Sequence, residues 1–493
     1  MQIVVLIAFI LTYTTLELPA PAWSEGWVWL PVLIAYLSGA ASITTAWTAS
    51  GLRTLHEQGP SAPPTRAQRL LGRLRLIWLV GGSAAVVYCG LGNWLEHYAD
   101  LPGTAGRWQL GDVPMIGEWA MIAPFAAAIT MSWWLEYPYH DAARAEVNAP
   151  GPMVAPADDA FDHEPAFWTR GEFVVFNLRH HLLFILAPLS LIVLGHDLIE
   201  LASYAPWFPS GEIAEQVDLR EIVQVGASVA WTAGVFICAP LVIVRIWNTR
   251  RLPDGPLRKR LEEMCRRLKF RFRDVLVWES GGVLANAGAM GVVAPVRYVL
   301  LSDALLDRMD PARVEAIFAH EAGHIVHHHI FFSGLFALAS VTLVAALARG
   351  LAVLVGLDEW TEMGLSAALL VATWGVGFGW ISRRFERQSD VISAWVMSHA
   401  LGDERIEEDC VTPVGAQVFA GALEQVGRLN GMNLDRFNWR HGSIAWRVNH
   451  VLSLGARGGS IHEIGRTVRR IKRVLIVAAL AGLSATVLLG YLG

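Results

Sequence analysis

Long apolar runs alternate with short, arginine-rich polar segments along this chain. An apolar run of 18 or more residues with few charges is long enough to cross a bilayer as a helix. About nine stretches have that character, near residues 2–18, 27–49, 76–97, 115–135, 180–200, 222–246, 330–356, 363–382 and 473–492. Residues 137–173 interrupt the pattern with a Pro-rich, acidic stretch that reads as a mobile linker. Two polar stretches, 247–329 and 383–472, are long enough to fold. The expected organisation is therefore a membrane domain of six helices over 1–246, containing the linker at 137–173. A second domain covers 247–472 and is interrupted by a transmembrane hairpin at 330–382, before a final helix at 473–493.

Composition supports a polytopic α-helical membrane protein. Hydrophobic residues make up 54% of the 493, with 21 Trp and only 17% charged residues, against about 25% charged in soluble proteins. The net charge of −5 says less than the placement of charge. Residues 52–75 hold five Arg, residues 247–274 hold ten Arg or Lys, and "RTVRRIKR" precedes the last run. With nine spans all three fall on one side, which the positive-inside rule makes the cytoplasm. Ala20-Pro21-Ala22 resembles a cleavage site, but Met1-Gln2-Ile3 has no positive flank, so the first run is expected to stay as an anchor. The four cysteines are scattered and form no CxxC pair, which points away from a disulfide framework or a thiolate metal site.

The chemistry starts in "MDPARVEAIFAHEAGHIVHHH". Asp310 suits an N-cap and Pro311 the first helical position. Val314, Ile317, Phe318 and Ile325 then recur at helical spacing, placing His320 and His324 on one face. This is the His-Glu-x-x-His arrangement, in which neutral imidazoles hold zinc and the glutamate acts as general base. The plainer alternative is an interfacial helix with histidines at headgroup level. A catalytic zinc needs a third protein ligand and an open position. "ISRRFERQSDVISAW" offers Glu386 and Asp390, four apart on a predicted helix. The hairpin at 330–382 returns the chain to its starting face, so Glu386 can arrive beside the histidines. Glu386 as ligand, with Asp390 orienting a ligand histidine, fits zinc chemistry.

These motifs resemble those of the membrane-embedded zinc metallopeptidases that include the CAAX prenyl proteases and the HtpX-like heat-shock proteases (metallopeptidase family forty-eight). The resemblance covers about 250–460. "VLANAGAMG" matches the Asn-Ala strand motif at Asn286 and Ala287, "SRRFERQSD" matches Ser-Arg-x-x-Glu-x-x-x-Asp, and "HGSIAWR" resembles a His-Pro-x-x-x-x-Arg element at His441 and Arg447. Gly442 stands where the family has proline, and Ser389 where it has alanine. The resemblance implies a mainly α, zincin-like domain facing the cytoplasm, with a small edge-strand β element. It further implies one zinc per chain on His320, His324 and Glu386, and Glu321 as base. Asn286 and Ala287 would bind substrate on the edge strand, and His441 or Arg447 would stabilise the oxyanion.

The expected function is zinc-dependent endopeptidase action on membrane-associated or misfolded proteins at the cytoplasmic face of a bacterial inner membrane. Two alternatives are a protease-receptor similar to antibiotic sensors, and a silent metal-binding scaffold; an intact Glu321 argues against the scaffold. The expected partners are a protein or peptide substrate and the lipid bilayer, with no nucleic acid; oligomeric state is not legible. His327, His328 and His329 are read as interfacial residues, and Arg349 as snorkelling to the interface.

Overall fold

A computed structural model describes residues 2–14, 26–59, 64–97, 113–147, 169–214, 217–282, 284–401 and 409–492. They divide into two compact units, Met1–Asn248 and Thr249–Gly493. The cleavage-site-like Ala20-Pro21-Ala22, residues 98–112 and the centre of the expected linker lie outside the described residues.

The first unit is helical: α1 (Gln2–Thr14), α2 (Trp29–Gln58), α3 (Arg66–Val86), α4 (Gly92–His97), α5 (Ile116–Val147), α6 (Arg170–Asn177), α7 (Phe184–Ser203) and α8 (Leu219–Ile246). A small hairpin of β1 (Glu212–Ala214) and β2 (Val217–Asp218) precedes α8. π-helical turns at Val87–Leu91 and Leu178–Leu183 join α3 to α4 across a kink and α6 to α7 without one. In the first of these, Gly90 takes a φ of 119°, which a side chain would resist. Helix α2 packs on α3 and α5. Polar groups in this apolar packing find partners on neighbouring helices, as they must where water is absent. Tyr36 donates to the Leu79 carbonyl at 2.7 Å, and the Thr44 and Ser132 hydroxyls lie 2.6 Å apart.

The first residues of the expected linker, 137–147, are helical. Helix α5 passes through Pro138 and runs to Val147, and α6 begins at Arg170 with a Thr169–Glu172 capping box. The added turns of α5 are held by side chains. Glu136 pairs with Arg75 at 2.5 Å, and the Tyr139 ring lies 5.3 Å from that of Trp47.

The second unit is built on a four-stranded sheet. Its strands are β3 (Thr249–Arg251), β4 (Asp274–Trp278), β5 (Ala287–Met290) and β6 (Tyr298–Ser302), in the order β3-β4-β6-β5. Strands β4 and β6 pair in parallel, whereas β5 runs antiparallel to β6 at the edge. Helix α9 (Pro256–Arg267) lies between β3 and β4, and α10 (Asp303–Arg308) follows β6. The main helices are α11 (Pro311–Val326), α12 (His329–Val355), α13 (Glu359–Ala372), α14 (Gly379–Leu401), α15 (Pro413–Leu429), α16 (Ile444–Ala456) and α17 (His462–Leu492). Leu261, Val277, Leu301, Leu305, Phe318 and Phe419 are fully buried in one core where the sheet meets α9, α11 and α15. Helices α12 and α13 form the expected hairpin. Arg349, expected to snorkel rather than pair with an acid, has its Nη1 3.2 Å from Glu362 Oε2 across that hairpin, its side chain half exposed. The tight turn there brings the two charges within reach.

Among the described residues, six helices are long and apolar enough to cross a membrane: Trp29–Gln58, Arg66–Leu95, Arg170–Ser203, Leu219–Ile246, His329–Val355 and Thr361–Ala400. Each overlaps one of the runs read from the sequence. The other three runs fall on α1, α5 and α17.

Candidate metal centre and active site

Helix α11 is fixed at both ends. Asp310 caps it by accepting from the Arg313 amide at 3.0 Å, with Pro311 in the first turn. It stops at Val326 because His328 adopts a left-handed φ of 55°, which turns the chain into α12. Between these ends α11 packs closely on α14. A Cβ added at Gly323 would meet Ser389 Cα at 3.0 Å, so a residue without a side chain brings the two helices together at the site.

That approach gathers His320, His324 and Glu386, the one cluster of metal-binding type among the described residues. His320 Nε2 lies 3.2 Å from His324 Nε2 and 3.5 Å from Glu386 Oε2, and His324 Nε2 lies 3.8 Å from Glu386 Oε1. Tetrahedral zinc with bonds of about 2.0–2.2 Å separates its donor atoms by about 3.3–3.6 Å. The donor set and spacing fit zinc.

The residues around the cluster hold it in place. His320 Nδ1 lies 3.0 Å from Asp390 Oδ1, leaving Nε2 toward the cluster. Arg447 reaches from α16 and grips Asp390 with two donors, Nε to Oδ2 at 2.9 Å and Nη2 to Oδ1 at 2.6 Å. The same Nη2 is 3.2 Å from Glu386 Oε2. His441 Nδ1 lies 2.8 Å from Glu386 Oε1, with its side chain 43% exposed. Gly442, in place of the family's proline, has a φ of 79°, a region the proline ring cannot enter.

Glu321 sits beside the cluster on α11, and its Oε2 accepts from the Ala289 amide on β5 at 3.0 Å. The base expected from the motif is thereby tied to the edge strand. Asn286 is held at the mouth of that strand, its amide donating to Ser302 Oγ at 2.9 Å and its carbonyl accepting from the Ser302 amide at 2.9 Å. Asn286, Ala287, Glu321, the three candidate ligands, His441 and Arg447 all line one cleft of about 960 Å³.

Burial and charge pull the groups on α11 apart. Burial alone pushes His320 down, but its contacts with Asp390 and Glu386 outweigh that and lift it to about 9. His324 is pushed down to about 3, chiefly by burial. Burial raises Glu321, against the lowering influence of His320. Arg447 stays firmly charged, because Asp390 and Glu386 overcome its burial.

Two residues of the site were missed from sequence. His329 was read as interfacial, yet it is only 2% exposed and turns back to His324, Nδ1 to Nδ1 at 3.0 Å. Gln388, 5% exposed, meets its other nitrogen at 2.9 Å. The physical reason is the left-handed turn at His328, which resets helical phase. A signal did exist in the polar Gln388, which lies between two acidic site residues on α14.

Six apolar helices and a two-histidine, one-carboxylate centre beside a buried glutamate define an integral-membrane metallopeptidase. The model of Peptidase family M48 matches residues 251–453. The chain carries a domain of that family, whose members are zinc metallopeptidases, and is a metalloprotease. Among solved structures, the crystal structure of S. mikatae Ste24p is similar at 15% identity and a TM-score of 0.48, over 88% of this chain and 100% of that one. No curated protein matches the chain.

Proposed function

We propose that this protein is an endopeptidase holding one zinc per chain, which cleaves extended segments of membrane-associated or misfolded proteins at the cytoplasmic face of a bacterial inner membrane. The observation that carries this reading is the meeting of the donor triangle, Glu321 and the free edge of β5 in one cleft. His320, His324 and Glu386 would hold the metal. Zinc there supplies Lewis acidity, which acidifies water and polarises a carbonyl oxygen. Glu321 takes a proton from the attacking water and passes it to the leaving amide nitrogen as the C–N bond breaks.

Strand β5 supplies the substrate platform. In an antiparallel ladder alternate residues bond to the partner strand and the others face away. The Asn286 carbonyl accepts from β6, while the Ala289 amide turns to Glu321. Ala287 shares the parity of Ala289, so its backbone faces outward and can pair with an extended peptide. His441, partly exposed at the cleft, is placed to stabilise the developing oxyanion. Arg447 is engaged with Asp390 and Glu386, and its part is to hold both carboxylates. The cytoplasmic placement rests on the three arginine-rich segments sharing one side.

The test is Glu321→Gln, which keeps size and removes the base. Zinc content should be unchanged while cleavage of an unfolded protein falls by about 10²–10⁴-fold. Equal cleavage by both proteins contradicts the mechanism. Bound zinc with no chelator-sensitive cleavage in the wild type favours the scaffold.

A further inference from the structure

A zinc-binding histidine must present a lone pair on one ring nitrogen, and the group bonded to its other nitrogen decides whether it can. Asp390 stands at that place for His320, its Oδ1 3.0 Å from Nδ1. His324 has no carboxylate at its Nδ1 among the described residues. Its Nδ1 instead meets the imidazole of His329, which is itself clamped: its ring stacks on Phe385 with centroids 4.3 Å apart and planes 4° apart. His329 Nε2 lies 2.9 Å from Gln388 Oε1, and Gln388 is buried on α14.

We propose that His329 is a positioning residue for His324, and that Gln388 sets the direction of the hydrogen-bond relay between them. The inference rests on reading His320, His324 and Glu386 as zinc ligands. A chain of three such groups has two possible directions. In one, Gln388 donates to His329 Nε2, His329 Nδ1–H donates to His324 Nδ1, and His324 must then carry its proton on Nε2, where it blocks the metal. In the other, the Gln388 carbonyl oxygen accepts from His329 Nε2–H. His329 Nδ1 is then an acceptor, His324 Nδ1–H donates to it, and the Nε2 lone pair faces the cluster. A metal on His324 Nε2 requires this second direction, and Gln388 Oε1, 2.9 Å from His329 Nε2, stands where that direction needs an acceptor.

The two ligand histidines are thus oriented by different means. One has a charged carboxylate backed by Arg447; the other has a neutral imidazole backed by an amide. This device depends on the left-handed turn at His328, which brings the first residue of α12 back onto α11.

Purified full-length protein, stripped of metal in detergent, can be titrated with zinc against a competing chelator, while thermal unfolding of the metal-free form is followed separately. His329→Phe keeps the ring on Phe385 but removes the acceptor, and its zinc affinity should fall by about 10–100-fold with little change in metal-free stability. His329→Asn places an amide oxygen where Nδ1 stood and should keep most of the affinity. Gln388→Leu frees the relay direction and should weaken zinc binding by a smaller factor. Phe binding like wild type, or Phe retaining affinity while Asn loses it, overturns the proposal, since His329 would then serve packing alone. If His329→Phe does not fold, Gln388→Leu carries the test, and unchanged affinity in that variant contradicts the relay. Failure of the wild type to bind zinc, or equal binding by Glu386→Ala, would refute the underlying site and not the relay.

Discussion

Each of the two units buries an arginine against carboxylate, and the two pairs behave differently. In the first unit Arg75 meets Glu136 at 2.5 Å, both nearly buried, with the guanidinium 4.9 Å over the Trp47 ring. One positive charge faces one negative charge, and the pair is electrically closed. In the second unit Arg447 faces both Asp390 and Glu386, with two imidazoles and Glu321 close by. There the acceptors outnumber the permanent cation. Buried charge is tolerated only when paired, so the second cluster takes up a further positive charge at the head of a cleft, a proton on His320 or a metal cation in its place. Imbalance between acceptors and cations distinguishes a metal centre from a structural ion pair.

Removing each arginine should produce the largest effects and the clearest contrast. Arg75→Ala and Arg447→Ala should each cost about 3–5 kcal/mol of unfolding free energy in detergent, because a buried carboxylate loses its partner. Zinc should restore part of the loss in the Arg447 variant and none in the Arg75 variant. Equal behaviour of the two with zinc would erase the distinction. Asp390→Asn keeps the shape but weakens the hold on His320, and chelator competition should show zinc affinity reduced by about 10–100-fold.

The pH dependence of zinc binding follows from His320. Its metal-free pKa is about 9, so it is protonated at neutral pH, and zinc must displace that proton. Affinity should rise by about tenfold per pH unit from pH 7 toward 9 and level off above, while His324, at about 3, contributes no proton there. Proton release can be read by calorimetry in buffers of different ionisation enthalpy; affinity independent of pH across that window would contradict the assignment. The smallest effect concerns Ser389, whose buried hydroxyl has no hydrogen-bond partner among the described residues. Ser389→Ala should raise stability by about 1 kcal/mol, measured by thermal unfolding, with zinc affinity unchanged.

Much of the second unit was legible because its chemistry repeats at helical spacing. His320, Glu321 and His324 lie on α11, and Glu386 and Asp390 on α14, so local periodicity indicates which side chains share a face. The edge position of β5 was also anticipated, whereas its bond to Glu321 was not, since nothing in "NAGAM" points to a helix 32 residues further on. His329 was hidden for another reason. Five residues beyond His324, it has no place on the same helical face until the chain reverses at His328. Arg447 could be matched to a motif, but its grip on Asp390 depends on how α16 meets α14, which spacing does not encode. In the first unit the apolar runs revealed the helices, while the Arg75–Glu136 pair joins residues 61 apart and stayed invisible.

The most direct test of the central claim is the zinc content of the purified full-length protein beside Glu386→Ala and Arg75→Ala, each equilibrated at low free zinc. One zinc per chain is expected in the wild type and in the Arg75 variant, and little in the Glu386 variant. Absence of zinc from the wild type, or full occupancy without Glu386, would contradict the claim.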